Sequence, residues 1–461
     1  MQYVSTRGQA PTVDFVSACL AGLAPDGGLY VPESWPQLTP AKATEPYIEL
    51  ATRILSSFAG KAMDKETIGK LCTSAYSSFS HDAITPLSQW AAGAWMLELH
   101  HGPTLAFKDV AMQFIGQFYD HVLGERHQRM TVMCATSGDT GGAAAAAFAG
   151  RSNVDLVILH PHERVSPVQR MFMTTTGASN VHNLALDGDF DACQAIVKSL
   201  FLDRPFVDAV SLSGVNSINW ARIAAQTVYF AYTQGQLGGE EPLTFIVPSG
   251  NMGDALAGYV ARACGLLHPE TKFVCAVNEN KALADLLLTG QVNRAETVPT
   301  PSPAMDITVP SNAERLIYDT VHGDADLVRR FYEQYKQSGS AQLPESALSG
   351  LQASGISGSP VSNDDTLEEI RTFLNTTDEL ICPHTAVGTV AARTQNANGR
   401  QVVLATAHAA KFPETVEAAT GQSIGLPSRC AGLAARTEVF EQLPSDLEAV
   451  RTFVLQTVTG R

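Results

Sequence analysis

The chain has 461 residues, 45% of them apolar and 17% charged, which excludes a disordered protein and allows two or three domains around a large core. The formal net charge of −15 argues against a surface built for nucleic acid or an anionic membrane, while a small anionic substrate held by a few local cations stays possible. No apolar run is long enough to cross a bilayer. The N-terminus, MQYVSTRGQAPTVDF, lacks the apolar segment of a signal peptide, so a cytoplasmic protein is expected.

The first ninety or so residues read mostly as helices. Val13–Gly22 is a short amphipathic helix, and Ala24–Pro32 is a turn at Gly27 and Gly28 that runs into an extended piece. From about Trp95 the pattern changes. Apolar runs at Trp95–Leu99, Thr131–Ala135, Leu156–Leu159, Val181–Ala185, Leu243–Val247, Phe273–Val277 and Val402–Thr406 fit strands buried on both faces. Between them, Asp109–Val122, Thr140–Gly150, Trp220–Thr233 and Asp254–Cys264 read as helices. This alternation predicts an α/β fold with mainly parallel sheets, whose ligands sit in strand-to-helix loops. Lys336–Asp365, rich in Ser and Gly, reads as a mobile surface segment or irregular insertion. The eight cysteines form no CxxC pair and read as buried free thiols of a reducing compartment. His100-His101 and His160-Pro-His162 lack partners at zinc spacing, so no metal site is expected.

Five motifs fall where an α/β fold places chemistry. In ELHHGPTLAFKD, Lys108 follows a Gly-Pro turn and an apolar stretch. An exposed lysine is the common case, but a desolvated one loses its proton easily and attacks aldehydes. ATSGDTGG, after the run ending at Ala135, offers Ser137, Thr140 and loop amides at a helix start. An oxyanion site there is compatible with a simple helix cap by Asp139 or Thr140. VPSGNMGD ends another strand in the turn Gly250, Asn251, Met252, Gly253, whose amides could converge on a phosphate or form a plain turn. It is neither a Walker loop nor GxGxxG. In GVNSINWAR, Asn216, Asn219 and Arg222 fall three apart, as an anion-binding face or as a solvated helix start. In LATAHAAKF, the Thr406 hydroxyl either caps its loop or meets a ring nitrogen, and Lys411 is either solvated or an anion contact.

Together these motifs resemble the fold-type-II family of pyridoxal-5′-phosphate (PLP) enzymes, and within it the threonine synthases of the bacterial and fungal type. The resemblance runs in order from YVSTRG and APDGGLYVP through HGPTLAFKD, SGDTGGAA, VNSINWAR and VPSGNMGD to TAHAAKF. It implies two PLP-binding subdomains over about residues 91–430, a family-type helical N-terminal domain over 1–90, and a helical tail over 431–461. Lys108 is then the Schiff-base lysine, Gly250, Asn251, Met252, Gly253 and Asp254 cradle the cofactor phosphate, and Thr406 meets the pyridine nitrogen. Asp139 stands where many relatives carry an Asn that contacts the cofactor. Ser137, Gly138 and Thr140 line the substrate side, and Asn216, Asn219 and Arg222 are candidates for the substrate's anionic groups. The implied reaction makes L-threonine and phosphate from O-phospho-L-homoserine and water, with Lys108 moving the Cα proton. The alternatives are another lyase of the fold, such as a serine or threonine dehydratase, or a non-catalytic PLP-binding homologue. Two phosphate-type sites, the Gly250–Gly253 turn and the Ser137–Thr140 loop with Arg222, favour a substrate that carries its own phosphate. Monomer and homodimer both remain open, and activation by S-adenosylmethionine is not expected.

Overall fold

A computed structural model describes residues 1–395 and 399–458. Two sheets dominate. The larger has six strands in the order Ile356–Pro360, Lys272–Val277, Leu243–Pro248, Arg400–Ala405, Ala94–Glu98 and Leu87–Ala91. Its neighbours run parallel except for the last pair, which is antiparallel. The smaller is parallel throughout, in the order Glu441–Pro444, Val181–Asp187, Val154–Pro161, Met130–Ala135 and Leu212–Ser213.

Alternation along the strands feeds two cores per sheet. In the larger sheet, Leu97, Phe245, Val247, Phe273, Val402 and Leu404 face Phe230 and Leu256 of the helices Trp220–Thr233 and Gly253–Ala263. The intervening residues Met96, Ile246, Val274, Val403 and Ala405 face Ile370, Phe373 and Val387 of the helices Asn363–Thr377 and Pro383–Thr394. The smaller sheet repeats the scheme. Val132, Cys134, Leu156 and Ile158 meet Ala143 and Phe148, while Met133, Val157, Leu159 and Leu184 meet Ile196, Leu200, Val450 and Val454. All seven runs read as strands from the sequence are strands, with bounds that move by one or two residues.

Before the larger sheet lie three helices, Phe15–Ala21, Tyr47–Ala59 and Lys65–Tyr76, and also a small antiparallel sheet of Gln2–Ser5, Val13–Asp14 and Tyr30–Pro32. The expected helix Val13–Gly22 therefore starts later. Asp14 is its cap, its carboxylate accepting from the Ser17 amide at 2.8 Å. Tyr3 ties this region to the rest: its hydroxyl donates to Phe58 O at 2.9 Å and accepts from Trp220 Nε1 at 3.1 Å.

Two expectations are corrected. Lys336–Asp365 is regular: it contains the end of the helix Ala325–Ser338, the strand Ser340–Gln342, the helix Glu345–Ala353 and the edge strand Ile356–Pro360. Its small residues mark close packing, not looseness. A Cβ on Gly358 would stand 2.5 Å from Ala284 Cα, so the helix Ala282–Thr289 can cross that strand only over a glycine. The C-terminal stretch is not purely helical either, because Glu441–Pro444 adds an edge strand before the helix Leu447–Val458. The cysteines are all free, and only Cys430 is partly exposed. Among the described residues, no helix is long and apolar enough to cross a membrane.

Candidate active site

Strand-to-helix loops from both sheets converge on one cavity of about 150 Å³. The helix Lys108–Glu125 begins at its edge. The preceding loop is fixed from both sides. The Thr104 hydroxyl and amide donate to the Asp109 carboxylate at 2.6 and 2.8 Å, and the Phe107 amide donates to Thr406 O at 2.8 Å. Lys108 is thereby delivered 8% exposed into the cavity, its Nζ 3.4 Å from Asp139 Oδ2. Burial lowers its pKa. Asp139 opposes that shift, and the nearby cations Arg222 and Lys411 add to it.

Asp139 opens the helix Asp139–Phe148 on the smaller sheet. Ahead of it, Thr136 Oγ1 accepts from the Gly138 and Gly141 amides at 2.9 and 3.1 Å, which folds the loop tightly. Asp139 Oδ1 pairs with Lys411 Nζ at 2.8 Å and accepts from Gln169 Nε2 at 2.9 Å. Burial opposes ionisation of this carboxyl, but Lys411, Lys108 and His384 outweigh it and hold it far below the usual carboxylate range.

On the larger sheet, the strand Leu243–Pro248 runs into the turn Ser249–Met252 and then the helix Gly253–Ala263. Met252 is left-handed, at φ 62°, and turns the chain into the helix. A Cβ on Gly250 would meet Ile307 Cγ1 at 2.9 Å and Met305 Cα at 3.1 Å, so only glycine lets the turn pack there. Asp254 sits in the first turn of that helix. The Tyr229 hydroxyl donates to its Oδ1, and burial pushes its pKa up to about 7. Burial lowers Arg222 to about 10.

Of the residues expected from the sequence, Lys108, Ser137, Asp139, Thr140, Asn216, Arg222, Gly250, Asn251, Met252, Gly253, Asp254 and Thr406 all line this cavity. Gly138 shapes its loop but lies outside the lining. Asn219 is not brought to the cavity. It caps the helix Trp220–Thr233, its Oδ1 accepting from the Ala221 amide at 2.9 Å, while its Nδ2 donates to Cys19 O, Tyr119 Oη and Gly214 O. The cap points it towards the N-terminal region, so the shared face with Arg222 does not form. Lys411 is not solvated: its side chain is fully buried. Phe107, the end of the apolar stretch before Lys108, also lines the cavity, as do Gln226 and His384, which carried no local sequence signal.

Five buried polar atoms around this cavity have no hydrogen-bond partner among the described residues: Asn216 Oδ1, Arg222 Nε, Gln226 Nε2, Asp254 Oδ2 and His384 Nδ1. Buried polar atoms are normally paired, so their concentration in one cleft marks a place for a polar ligand. A desolvated lysine, a glycine turn at a helix N-terminus and a hydroxyl across the cleft fit the aldehyde, phosphate and ring nitrogen of PLP. Residues 84–333 match the family "Pyridoxal-phosphate dependent enzyme", and with the fold described above this makes the chain a PLP-dependent enzyme of fold type II.

Residues 2–76 and 385–454 match "Threonine synthase N terminus" and "Threonine synthase, C-terminal". Threonine synthase of Pseudomonas aeruginosa is 43% identical over 99% of this chain and 98% of its own. Threonine synthase of Saccharomyces cerevisiae is 38% identical over 90% and 88%. The crystal structure of PLP-bound threonine synthase from Brucella melitensis superposes with a TM-score of 0.95 at 45% identity, covering 99% of each chain. That of the Escherichia coli enzyme does so with 0.84 at 32% identity, covering 99% of this chain and 100% of its own. Maize serine racemase, at 13% identity and a TM-score of 0.51 over 75% of this chain and 93% of its own, shares the fold alone. The chain belongs to the threonine synthase family.

Proposed function

We propose that this cavity carries out the threonine synthase reaction, from O-phospho-L-homoserine and water to L-threonine and phosphate, with Lys108 as cofactor anchor and proton carrier. The observation that carries the assignment is a buried, desolvated Lys108 sharing one cleft with the Gly250–Gly253 turn and Thr406. Bound PLP supplies an electron-withdrawing ring that stabilises negative charge at the substrate Cα.

The protein's own groups do the rest. The Lys108 amine, once free, takes and returns the Cα proton, a role that its low proton affinity suits. The amides of the Gly250–Gly253 turn, at the positive end of the helix Gly253–Ala263, hold the cofactor phosphate. Burial raises the Asp254 carboxyl to about 7, so beside the cofactor phosphate it repels less than a fully ionised carboxylate would, and its Oδ2, which lacks a partner among the described residues, can donate in the protonated fraction. Thr406 offers the ring nitrogen a neutral hydroxyl. The substrate phosphate falls to Ser137, Thr140, Asn216 and Arg222, the last a cation with Nε free to donate among the described residues. The carboxylate of Asp139 is already engaged by Lys411 and Gln169, so its part is electrostatic.

Borohydride reduction of the yellow holoenzyme, followed by peptide mapping, should place the cofactor on Lys108. Lys108→Ala should lose the visible absorbance and all phosphate release from phosphohomoserine. A label on another lysine, or full activity in the variant, would overturn the assignment.

A further inference from the structure

Two lysines, far apart in sequence, share one buried carboxylate. Lys411 Nζ lies 2.8 Å from Asp139 Oδ1 and donates to Thr104 O at 2.7 Å, and its side chain has no exposure. Lys108 Nζ reaches the other oxygen of Asp139 only at 3.4 Å. Lys411 follows the strand Arg400–Ala405 of the larger sheet, whereas Asp139 follows the strand Met130–Ala135 of the smaller. The pair therefore bridges the loops of both sheets. Two further contacts to the smaller-sheet side hold Lys411 in place: Ser166 Oγ donates to Lys411 O at 3.2 Å, and Lys411 Nζ lies 5.2 Å from the Phe172 ring centre. Through Thr104, which grips Asp109, Lys411 also reaches the residue next to Lys108.

We propose that Lys411 is a positioning residue for the reaction: by occupying Asp139 it leaves Lys108 without a full counterion and so keeps Lys108 available as a free amine. The proposal rests on the reading of Lys108 as the cofactor anchor. A buried carboxylate balances one ammonium, and a second ammonium beside it goes uncompensated. The shorter, better-coordinated contacts belong to Lys411, so Lys108 is the amine that sheds its proton. The other charged and titratable groups around Lys108 do not reverse this. Arg222 adds positive charge, burial holds His384 neutral with its pKa down to about 3, and Asp254 is held protonated up to about pH 7. Without Lys411, Asp139 would have Lys108 as its sole lysine partner and would hold it as an ammonium ion, a poor nucleophile and no base.

The test uses protein stripped of PLP. Reductive methylation at a series of pH values, read by mass mapping of the Lys108 peptide, gives the midpoint at which that amine becomes free. In K411M this midpoint should rise by at least one pH unit, so that labelling of Lys108 at neutral pH falls about tenfold. K411R should return it to the wild-type position. The double variant K411M/D139N, which removes both partners, should bring it back down. Phosphate release by reconstituted K411M should fall in kcat with KM held, and should recover as pH rises. An unchanged Lys108 midpoint in folded K411M would overturn the proposal. If K411M does not fold, K411Q, which keeps a donor to Asp139 without the charge, must show the same rise, and an unchanged midpoint there overturns the proposal equally. Borohydride mapping of the wild-type holoenzyme separates the two readings. A cofactor label away from Lys108 sinks the anchor assignment, whereas a label on Lys108 with an unshifted midpoint sinks only the role of Lys411.

Discussion

Phe107 and Thr406 are joined backbone to backbone: the Phe107 amide donates to the Thr406 carbonyl at 2.8 Å, and the flanking Ala106 and Ala407 form an antiparallel bridge. The loop that carries Lys108 and the loop that carries Thr406 therefore move as one piece. Because the main chain sets this spacing, the Thr406 side chain can be changed without disturbing it. Thr406→Val should weaken PLP binding about tenfold, the worth of one hydrogen bond of about 1.4 kcal/mol, with an unchanged melting temperature for the cofactor-free protein. Absorbance titration with PLP measures the first and differential scanning calorimetry the second.

Gly250→Ala tests the phosphate turn. The added methyl meets Ile307 Cγ1 and the Met305 backbone at about van der Waals overlap, so the turn has to shift. The expected cost is about 1–3 kcal/mol of stability, in the range for overpacking a tight site. Cofactor affinity should fall with it, because the shift moves the amides that face the phosphate. Urea denaturation with and without PLP separates the two effects.

Asp254 predicts a pH dependence. Its folded pKa, about 7, lies above that of an exposed carboxyl, so the folded protein keeps this proton longer than the unfolded chain does. The stabilisation is complete below the unfolded value, declines as pH rises from about 4 to 7, and is constant above that. Asp254→Asn, neutral throughout, should not decline. Between pH 4 and 8 the wild type should lose up to about 4 kcal/mol relative to the variant, about three pKa units at 1.36 kcal/mol each. Asp139, whose shift has the opposite sign, is present in both proteins and cancels. Chemical denaturation of the two cofactor-free proteins across that range reads the difference.

Asn219→Ala should behave as a structural change. It removes a helix cap and leaves Cys19 O, Gly214 O and the Tyr119 hydroxyl short of a donor, for a loss of about 2 kcal/mol in stability. KM for phosphohomoserine should stay within about twofold of wild type at temperatures where the variant is folded. A tenfold rise in KM without loss of stability would restore Asn219 to the substrate side.

Much of this architecture is legible in one dimension. Strands buried on both faces are short apolar runs; the loops after Ala135 and Pro248 announce themselves by glycines and hydroxyls at a helix start, and the loop after Ala405 by the hydroxyl of Thr406 alone. The strand Ile356–Pro360 is hidden because ISGSP has almost no apolar signal; its place is set by the helix packed on Gly358. Leu87–Ala91 is half exposed and pairs antiparallel at an edge, so it lacks the buried signature of its neighbours. In the site, Lys108, Thr406 and the Gly250–Gly253 turn lie in motifs with their own local logic. Gln169, His384 and the bond between Lys411 and Asp139 do not, because they exist only where segments distant in sequence meet: Gln169 reaches Asp139 from another connection of the smaller sheet, and Lys411 from a loop of the larger. Asn219 misled because a cap and an anion ligand call for the same residue type at a helix start.

The central pairing of the larger sheet has a consequence for how the chain is made. Ala94–Glu98 finds its parallel neighbour only in Arg400–Ala405, and the smaller sheet receives its edge strand Glu441–Pro444 later still. On the ribosome, Ala94–Glu98 therefore waits for about 300 further residues, with that strand edge open meanwhile. The cleft that holds Lys108 and Thr406 closes only once residue 406 has been made, so termination between residues 98 and 400 yields a product without Thr406 and with an unpaired strand prone to aggregation.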